Sequence, residues 1–306
     1  MTNSNEIRLI IERIKLVLGL SSDSEPTFLH EPHFINSNAK KYLSSCIDSG
    51  WVSSAGNWVT EFERKVTQFT GAKYAIAVSN GTVALRLALF CLGVRANHEV
   101  LIPPMSFVAT ANSVSHLGAL PHFIDIEKST LGMCPIALDR RLEEVAILKN
   151  GILFNKETGR KITAVVSVHV FGLISKIDEL SLVCKKWNLP LIEDAAEALG
   201  SYSYLKKKYI HSGCIGDMGT ISFNGNKIIT TGGGGMLITN KKKLADLARH
   251  LSSTAKKNHP YEFFHDQIGW NDRLPNINAA LGTSQMEMLD VKLKNKREAF
   301  STKKEA

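Results

Sequence analysis

An amphipathic helix is predicted near the N-terminus, between Asn5 and Leu20. Apolar residues recur there at helical spacing with charged residues between them: Ile7, Ile10, Ile11, Ile14 and Leu18. A linker that contains Ser21–Pro26 follows the helix. Residues 1–27 are therefore expected to form an N-terminal helix and linker.

From about Lys73 onward, short apolar runs alternate with segments of helical periodicity. The predicted strands are Tyr74–Val78, Glu99–Ile102, His122–Ile126, Ile162–Val168, Leu189–Glu193, Gly219–Phe223 and Met236–Thr239. The predicted helices between them include Thr82–Leu92, Asp178–Trp187 and Lys243–Leu251. Most strands lack in-out alternation, as expected when both faces are covered. The pattern favours an α/β fold with a mostly parallel central sheet flanked by helices.

Composition narrows the class of protein further. Of the 306 residues, 44% are hydrophobic and 22% are charged, which is ordinary for a globular protein with a sizeable core. The formal net charge of +8 allows an anionic partner, but the lysines are scattered and no basic helix with interleaved aromatics occurs. Nucleic-acid binding is therefore disfavoured.

Cysteine usage and hydropathy point to the cytoplasm. The five cysteines are far apart and form no C-x-x-C pair, so neither a disulfide framework nor a zinc site is suggested. The N-terminal apolar stretch carries charges, unlike a signal peptide. No apolar run approaches the roughly 18 residues that a membrane span needs.

A turn of small polar residues connects the first predicted strand to an apolar helix. Ser79, Asn80, Gly81 and Thr82 lie at this turn. The free N–H groups and the positive end of such a helix suit a phosphate, although a plain N-cap has the same composition. The turn lacks the G-x-x-x-x-G-K-[ST] pattern of a nucleoside-triphosphate loop.

Two further strand ends carry chemically useful side chains. One predicted strand runs into Asp194, with Glu197 three residues later, and another contains Ser222 and leads to Lys227. A helix-capping Asp and a surface lysine remain alternatives for these residues taken singly. A partly desolvated lysine can supply the neutral amine that forms a Schiff base.

Together these residues match the parts of a pyridoxal 5'-phosphate site. Such a site needs a lysine, a carboxylate that keeps the pyridine nitrogen protonated, phosphate donors at a helix N-terminus, and an aromatic face for the ring. The candidates are Lys227, Asp194, Gly81 with Thr82, and Phe107. Their order along one α/β chain is a stronger signal than any one of them.

The chain resembles the DegT/DnrJ/StrS family of sugar aminotransferases over about residues 28–300. The matching stretches are SNGTVALRLAL, EVLIPPMSFVATANSV, GALPHFIDI, VHVFG, IEDAAEALGS, GDMGTISFNGNKIITTGGGGMLITN and GWNDRLPNINAALGTSQME. The resemblance implies pyridoxal-phosphate transferase fold type I, which is the aspartate-aminotransferase fold. It also points to the branch that acts on nucleotide-linked 4-keto-6-deoxy-N-acetyl-hexosamines, as in legionaminic acid type pathways.

The resemblance implies a role for each residue around the cofactor ring. Lys227 would form the internal aldimine and later move the proton, and Asp194 would pair with the pyridine nitrogen. Phe107 would stack on the ring. Glu197 takes the position where many family members have Gln or His beside the ring hydroxyl.

The resemblance also implies which residues hold the phosphate. Gly81, Thr82 and Ser222 would bind it within one subunit, and Asn271 would reach the phosphate of the neighbouring subunit. The run Gly232–Gly235 would let the backbone pass close to the cofactor. A homodimer with shared active sites is expected on this basis.

The resemblance further implies a domain organisation and an activity. Residues 28–250 would form the large cofactor-binding domain, and 251–306 an interface segment with the start of an incomplete small domain. Because family members continue further, the helix at Ile277–Leu289 is expected to leave apolar surface uncovered. The implied reaction moves an amino group from glutamate to the keto carbon of a nucleotide-linked 4-keto-6-deoxy sugar, in surface polysaccharide or glycan biosynthesis.

Two alternatives to this activity stay open. One is a truncated, inactive protein that binds the cofactor without turnover. The other is a sugar dehydratase of the same fold, in which a histidine would replace the lysine found at Lys227.

Overall fold

The computed structural model describes residues 4–18, 32–205 and 207–305. Residues 1–31 and 32–306 form two separate units. In the first, α1 (Ser4–Leu18) confirms the predicted amphipathic helix, while the linker at Ser21–Pro26 lies outside the described residues. Among the helices in the described ranges, none has the length and apolarity needed to cross a membrane. The predicted divisions at residues 27 and 250 stay predictions.

A seven-stranded sheet forms the centre of the second unit. The strands in chain order are β1 (Tyr74–Val78), β2 (Glu99–Ile102), β3 (Leu120–Phe123), β4 (Ala146–Lys149), β5 (Ile152–Asn155), β6 (Ile162–Val168), β7 (Leu191–Asp194), β8 (Tyr202–Leu205), β9 (Lys208–His211), β10 (Met218–Ser222) and β11 (Gly235–Thr239). The central order is β1-β11-β10-β7-β6-β2-β3, and β4-β5 and β8-β9 are separate hairpins. Only β11 runs antiparallel to its neighbours in this sheet.

The apolar runs in the sequence predicted the central strands closely. Those at Tyr74–Val78, Glu99–Ile102 and Ile162–Val168 are confirmed with these bounds. The strand predicted at His122–Ile126 begins two residues earlier, because β3 pairs with β2 from Leu120 onward. The remaining three predicted strands are displaced by one or two residues at an end.

Helices cover both faces of the sheet. They are α2 (Ala39–Ser49), α3 (Asn57–Thr70), α4 (Gly81–Cys91), α5 (Ala109–Ser115), α6 (Pro135–Val145), α7 (Ile177–Lys186), α8 (Lys242–Leu251), α9 (Asn276–Met286) and α10 (Leu289–Glu305). The predicted α4, α7 and α8 are confirmed to within one residue. The nearly all-apolar α4 packs with α8 on one cluster of core side chains, while α3 and α9 form another. Strands covered in this way explain the absence of in-out alternation.

The prediction that the helix at Ile277–Leu289 leaves apolar surface uncovered is wrong. Helix α9 packs on α3, and its Ala279 and Ala280 are fully buried. A Cβ on Gly282 would lie 2.8 Å from ring carbons of Phe62. Small residues therefore let α9 approach α3 closely, and this covers its apolar face.

Candidate active site

A cavity of about 500 Å³ lies beyond the carboxyl ends of β1, β2, β6, β7 and β10. Ligand sites of open α/β sheets are found at this edge. Seven of the eight predicted site residues line the cavity: Gly81, Thr82, Phe107, Asp194, Glu197, Ser222 and Lys227. The structure therefore brings together side chains that are up to 146 residues apart in the sequence, from Gly81 to Lys227.

Asp194 is a buried carboxylate at the end of β7. Thr110 Oγ1 donates a hydrogen bond to its Oδ2 at 2.7 Å, and the Ala196 N–H donates to its Oδ1 at 3.2 Å. Burial raises the pKa of Asp194 above its ordinary value, and these bonds with the charges of His169 and Lys227 only partly oppose the shift. A cationic group in the cavity would therefore be stabilised strongly by this carboxylate.

Lys227 lies in a turn that follows β10. Its N–H donates to the carbonyl of Asn224 at 3.1 Å, and the buried side chains of Phe223 and Ile229 anchor the chain on both sides. The side chain is 16% exposed, and Nζ donates to Glu197 Oε1 at 2.9 Å. The lysine is thus held in the cavity by a carboxylate and is not a free surface cation.

The N-terminus of α4 provides a place for an anion. Asn80 Oδ1 accepts from the Val83 N–H at 2.9 Å. The N–H groups of Gly81 and Thr82 have no acceptor inside the helix, because the first N–H groups of an α-helix have no preceding turn to bond with. A Cβ on Gly81 would lie 3.0 Å from Cβ of Ser222. Glycine therefore lets the helix end and the serine hydroxyl share one small space, which suits a phosphate.

The glycine run after Lys227 brings two strand ends together. Gly235 pairs with Val78 on β1 and with Ser222 on β10, and a Cβ there would lie 2.4 Å from the carbonyl carbon of Asn80. The close approach is thus between β11 and the backbone that precedes α4. The expected approach of this run to a cofactor stays a prediction.

Two predicted residues lie away from the bottom of the cavity. Phe107 is at the mouth, with 77% of its surface exposed. Asn271 does not line the cavity and is exposed, in a segment that bridges to Ser253. Its neighbour Asp272 forms an ion pair with Arg86 of α4 at 2.5 Å. The predicted contact of Asn271 with a neighbouring subunit stays a prediction.

The sequence reading missed residues that support Asp194. Thr110 is on α5, where no sequence signal distinguishes it from other helix threonines. His169 lines the cavity at the end of β6 and could have been found, because VHVFG follows a predicted strand. Its N–H donates to the carbonyl of Asp194 at 3.1 Å.

Glu193 is a second buried carboxylate that the sequence reading did not single out. Its Oε1 accepts from the N–H groups of Ile215 and Gly216 at 2.7 and 2.6 Å, and its Oε2 accepts from the Gly213 N–H at 2.9 Å. His169 Nε2 lies 3.0 Å from the same Oε2. Burial alone would raise the pKa of Glu193, but His169 and the backbone donors outweigh it and lower the pKa. Glu193 therefore fixes the loop before β10.

Comparison with known proteins agrees with this architecture. A putative pyridoxal phosphate-dependent aminotransferase EpsN of Bacillus subtilis is 39% identical over 279 residues, which are 91% of this chain and 68% of that protein. A GDP-perosamine synthase of Escherichia coli O157:H7 is 38% identical over 259 residues, covering 85% and 65% of the two chains. This chain thus spans about two thirds of the length of these relatives.

A solved structure shows the same fold. Helicobacter pylori PseC, an aminotransferase involved in the biosynthesis of pseudoaminic acid, superimposes with a TM-score of 0.73 at 27% identity, covering 87% of this chain and 67% of that one. The predicted fold class is thereby confirmed. The family model of the DegT/DnrJ/EryC1/StrS aminotransferases matches residues 34–306. The chain therefore belongs to the DegT/DnrJ/EryC1/StrS aminotransferase family.

Proposed function

We propose that this protein is a pyridoxal-phosphate-dependent aminotransferase that acts on a nucleotide-linked keto sugar. The observation that carries the proposal is the placement of Lys227 and the buried Asp194 in one cavity, beside the N-terminus of α4. The relatives named above support the reaction type. Glutamate is the proposed amino donor.

The residues present fit the proposed cofactor. Its phosphate matches the anion site at Gly81, Thr82 and Ser222, because a Cβ on Gly81 would fill the space beside Ser222. Its ring nitrogen matches Asp194, whose raised pKa reflects a buried carboxylate without a full counter-charge. The amine of Lys227 completes the set. Pyridoxal phosphate supplies an electron sink that stabilises negative charge on the carbon beside the transferred nitrogen.

The chain's own residues would then divide the work. Asp194, held by Thr110, keeps a proton on the ring nitrogen. Lys227 Nζ moves the proton at the substrate carbon, and Glu197 orients that amine through its 2.9 Å hydrogen bond. Phe107, at the mouth of the cavity, would cover the ring and exclude water.

The proposed acceptor is a 4-keto-6-deoxy hexose on a nucleoside diphosphate, in surface glycan biosynthesis. The names of two relatives support a nucleotide-linked sugar, and the second also specifies a 4-amino-4,6-dideoxy sugar. One is the GDP-perosamine synthase described above, and the other is a UDP-4-amino-4,6-dideoxy-N-acetyl-beta-L-altrosamine transaminase of Campylobacter jejuni, 34% identical over 251 residues. The positive net charge of the chain suits a diphosphate. Lysine at position 227 disfavours the sugar dehydratase alternative.

Covalent trapping tests the lysine assignment. Borohydride treatment of the cofactor-loaded protein should fix the cofactor to Lys227 Nζ, as read by peptide mass spectrometry. Lys227→Ala should abolish both the adduct and turnover with glutamate and keto sugar. Lys242→Ala, which changes an exposed lysine paired with Asp246, should alter neither. An adduct on a different lysine would contradict the assignment.

We also propose that the working unit is a homodimer in which Asn271 completes the partner's phosphate site. Asn271 is exposed and lies outside its own cavity, and three strongly exposed apolar side chains precede it: Tyr261, Phe263 and Ile268. Large apolar side chains left this exposed near one another in the sequence suit an interface with a second copy of the chain.

Dilution tests this assembly. Cofactor occupancy should fall as the dimer dissociates, because the cofactor binds the assembled site and stabilises it by mass action. Sedimentation with detection at the cofactor absorbance measures both quantities at once. A monomer that keeps full occupancy would show that Asn271 serves no shared site.

A further inference from the structure

Phe171 has an unusual backbone conformation at the mouth of the cavity. Its φ of 53° lies in the left-handed region, which bulky residues rarely adopt, and 73% of its surface is exposed. Strained residues of this kind persist only where the surroundings hold them, and they concentrate at functional sites. The exposed ring of Phe171 is therefore a candidate for a functional contact at the cavity.

A set of hydrogen bonds holds this turn in place. The N–H of Gly172 donates to the carbonyl of His169 at 3.1 Å, and that of Leu173 donates to the carbonyl of Val170 at 2.9 Å. Ser201 Oγ donates to the carbonyl of Gly172 at 2.8 Å. The strain at Phe171 is thus imposed by the structure around it.

The same turn is connected directly to the proposed chemistry. The N–H of Phe171 donates to Glu197 Oε2 at 3.2 Å, while Oε1 of that carboxylate accepts from Lys227 Nζ at 2.9 Å. One carboxylate group and two hydrogen bonds therefore separate Phe171 from the amine. A hexose whose keto carbon lies at the amine of Lys227 would extend from that amine toward Phe171. The base of the nucleotide would lie further away, on the other side of the diphosphate.

We infer that the ring of Phe171 forms an apolar wall for the hexose of the nucleotide sugar and so determines specificity for the sugar. The inference rests on the proposed function. A 6-deoxy hexose presents C–H groups and a methyl group, and burying the exposed ring against them is favourable. Phe171 lines the cavity with an exposed side chain, and its left-handed backbone keeps the N–H on Glu197.

Two substitutions separate the ring from the backbone. Phe171→Asn removes the ring but keeps the N–H, and asparagine tolerates the left-handed region. Phe171→Leu keeps an apolar side chain, and Leu131 shows that leucine adopts this conformation in the same chain, with φ of 59°. Phe123→Asn, at an exposed phenylalanine at the end of β3 that does not line the cavity, is the matched control.

The experiment compares the cofactor-loaded proteins by calorimetry with UDP-N-acetylglucosamine, GDP-mannose, UDP and GDP. Of the two nucleotide sugars, the one that binds wild type more tightly should bind Phe171→Asn about tenfold more weakly, as expected for loss of one buried aromatic side chain. Its affinity for the free nucleoside diphosphate should stay within about twofold of wild type, by the same reasoning. Phe171→Leu should recover most of the sugar affinity, and Phe123→Asn should match wild type.

Two outcomes overturn the inference. One is an unchanged affinity of Phe171→Asn for the nucleotide sugar, or no binding of either sugar by wild type. The other is an equal loss for sugar nucleotide and free nucleotide, which would place the ring against the base.

A separate measurement follows the spectral change of the bound cofactor with glutamate alone. A wild-type protein that fails to react with glutamate, yet loses sugar affinity on Phe171→Asn, would reject the proposed function and keep the sugar wall.

Discussion

Replacing Asp194 with asparagine should slow catalysis while stabilising the cofactor-free protein. The amide fits the existing contacts: its oxygen can accept from the Ala196 N–H, and its NH2 can donate to Thr110 Oγ1. Thr110 can in turn donate to Ser106 Oγ, which is 2.6 Å away. The substitution therefore leaves no buried group without a partner and removes only the charge.

Because the asparagine side chain would keep these hydrogen bonds, the change in the free energy of unfolding comes from the lost charge alone. An orphaned buried polar group would cost about 1–3 kcal/mol, and none is created. Removing a buried carboxylate that two neutral donors and the charges of His169 and Lys227 only partly compensate should stabilise the cofactor-free fold by about 1–2 kcal/mol at neutral pH. For a domain of this size that raises the Tm by about 2–8 °C.

The pH dependence has a definite sign. The folded-state pKa of Asp194 is raised above its ordinary value of 3.8, so wild type loses stability as pH rises through the folded pKa. Below 3.8 the carboxyl is neutral in both states and carries no such cost. The Tm advantage of Asp194→Asn should therefore be near zero at the acid end and reach its full value at neutral pH.

Bound cofactor should stabilise wild type more than Asp194→Asn. A cationic ring nitrogen compensates the charge of Asp194, so the cofactor should raise the Tm of wild type more than that of Asp194→Asn. Transamination should fall by about 10²- to 10³-fold, the usual loss when one preorganised electrostatic group is removed.

Scanning calorimetry at several pH values, with and without cofactor, measures the stability terms, and stopped-flow absorbance measures the glutamate reaction. Asp48→Asn, on the exposed surface of α2, is the control and should change neither. A variant that is less stable than wild type at every pH, or that turns over normally, would refute the reasoning.

Two further substitutions test the cavity and its support. Gly81→Ala should weaken cofactor binding about tenfold, because the new Cβ would lie 3.0 Å from Ser222 Cβ. The Tm should change little, because the helix gains up to about 1 kcal/mol of propensity. Equilibrium dialysis measures the affinity, and the control Gly225→Ala, whose Cβ would meet nothing within 4 Å, should bind the cofactor normally. Glu193→Gln should lower the free energy of unfolding by about 2–4 kcal/mol, because its NH2 group must face N–H donors in either orientation. Urea unfolding measures this loss, an unchanged midpoint would contradict the role, and Glu144→Gln on the exposed face of α6 should cost under about 0.5 kcal/mol.

Local pattern determined much of the fold and most of the candidate site. Strands such as β1 and β6 are continuous apolar runs because helices cover both their faces, so their bounds could be predicted from the sequence alone. Asp194, Ser222 and Lys227 could be selected because they lie at or after strand ends, and parallel strands present those ends at one edge.

Only the tertiary structure decided how the site is supported. The hydrogen bond from Thr110 to Asp194 joins residues 84 apart, and that from Phe171 to Glu197 joins residues 26 apart. The burial of α9 against α3 likewise overturned an expectation drawn from the sequence. The periodicity of apolar residues indicates which face of a helix or strand is buried, but it does not indicate which other segment packs against that face. That choice is made by packing between segments distant in the chain, where shape and hydrogen-bond geometry must be satisfied together.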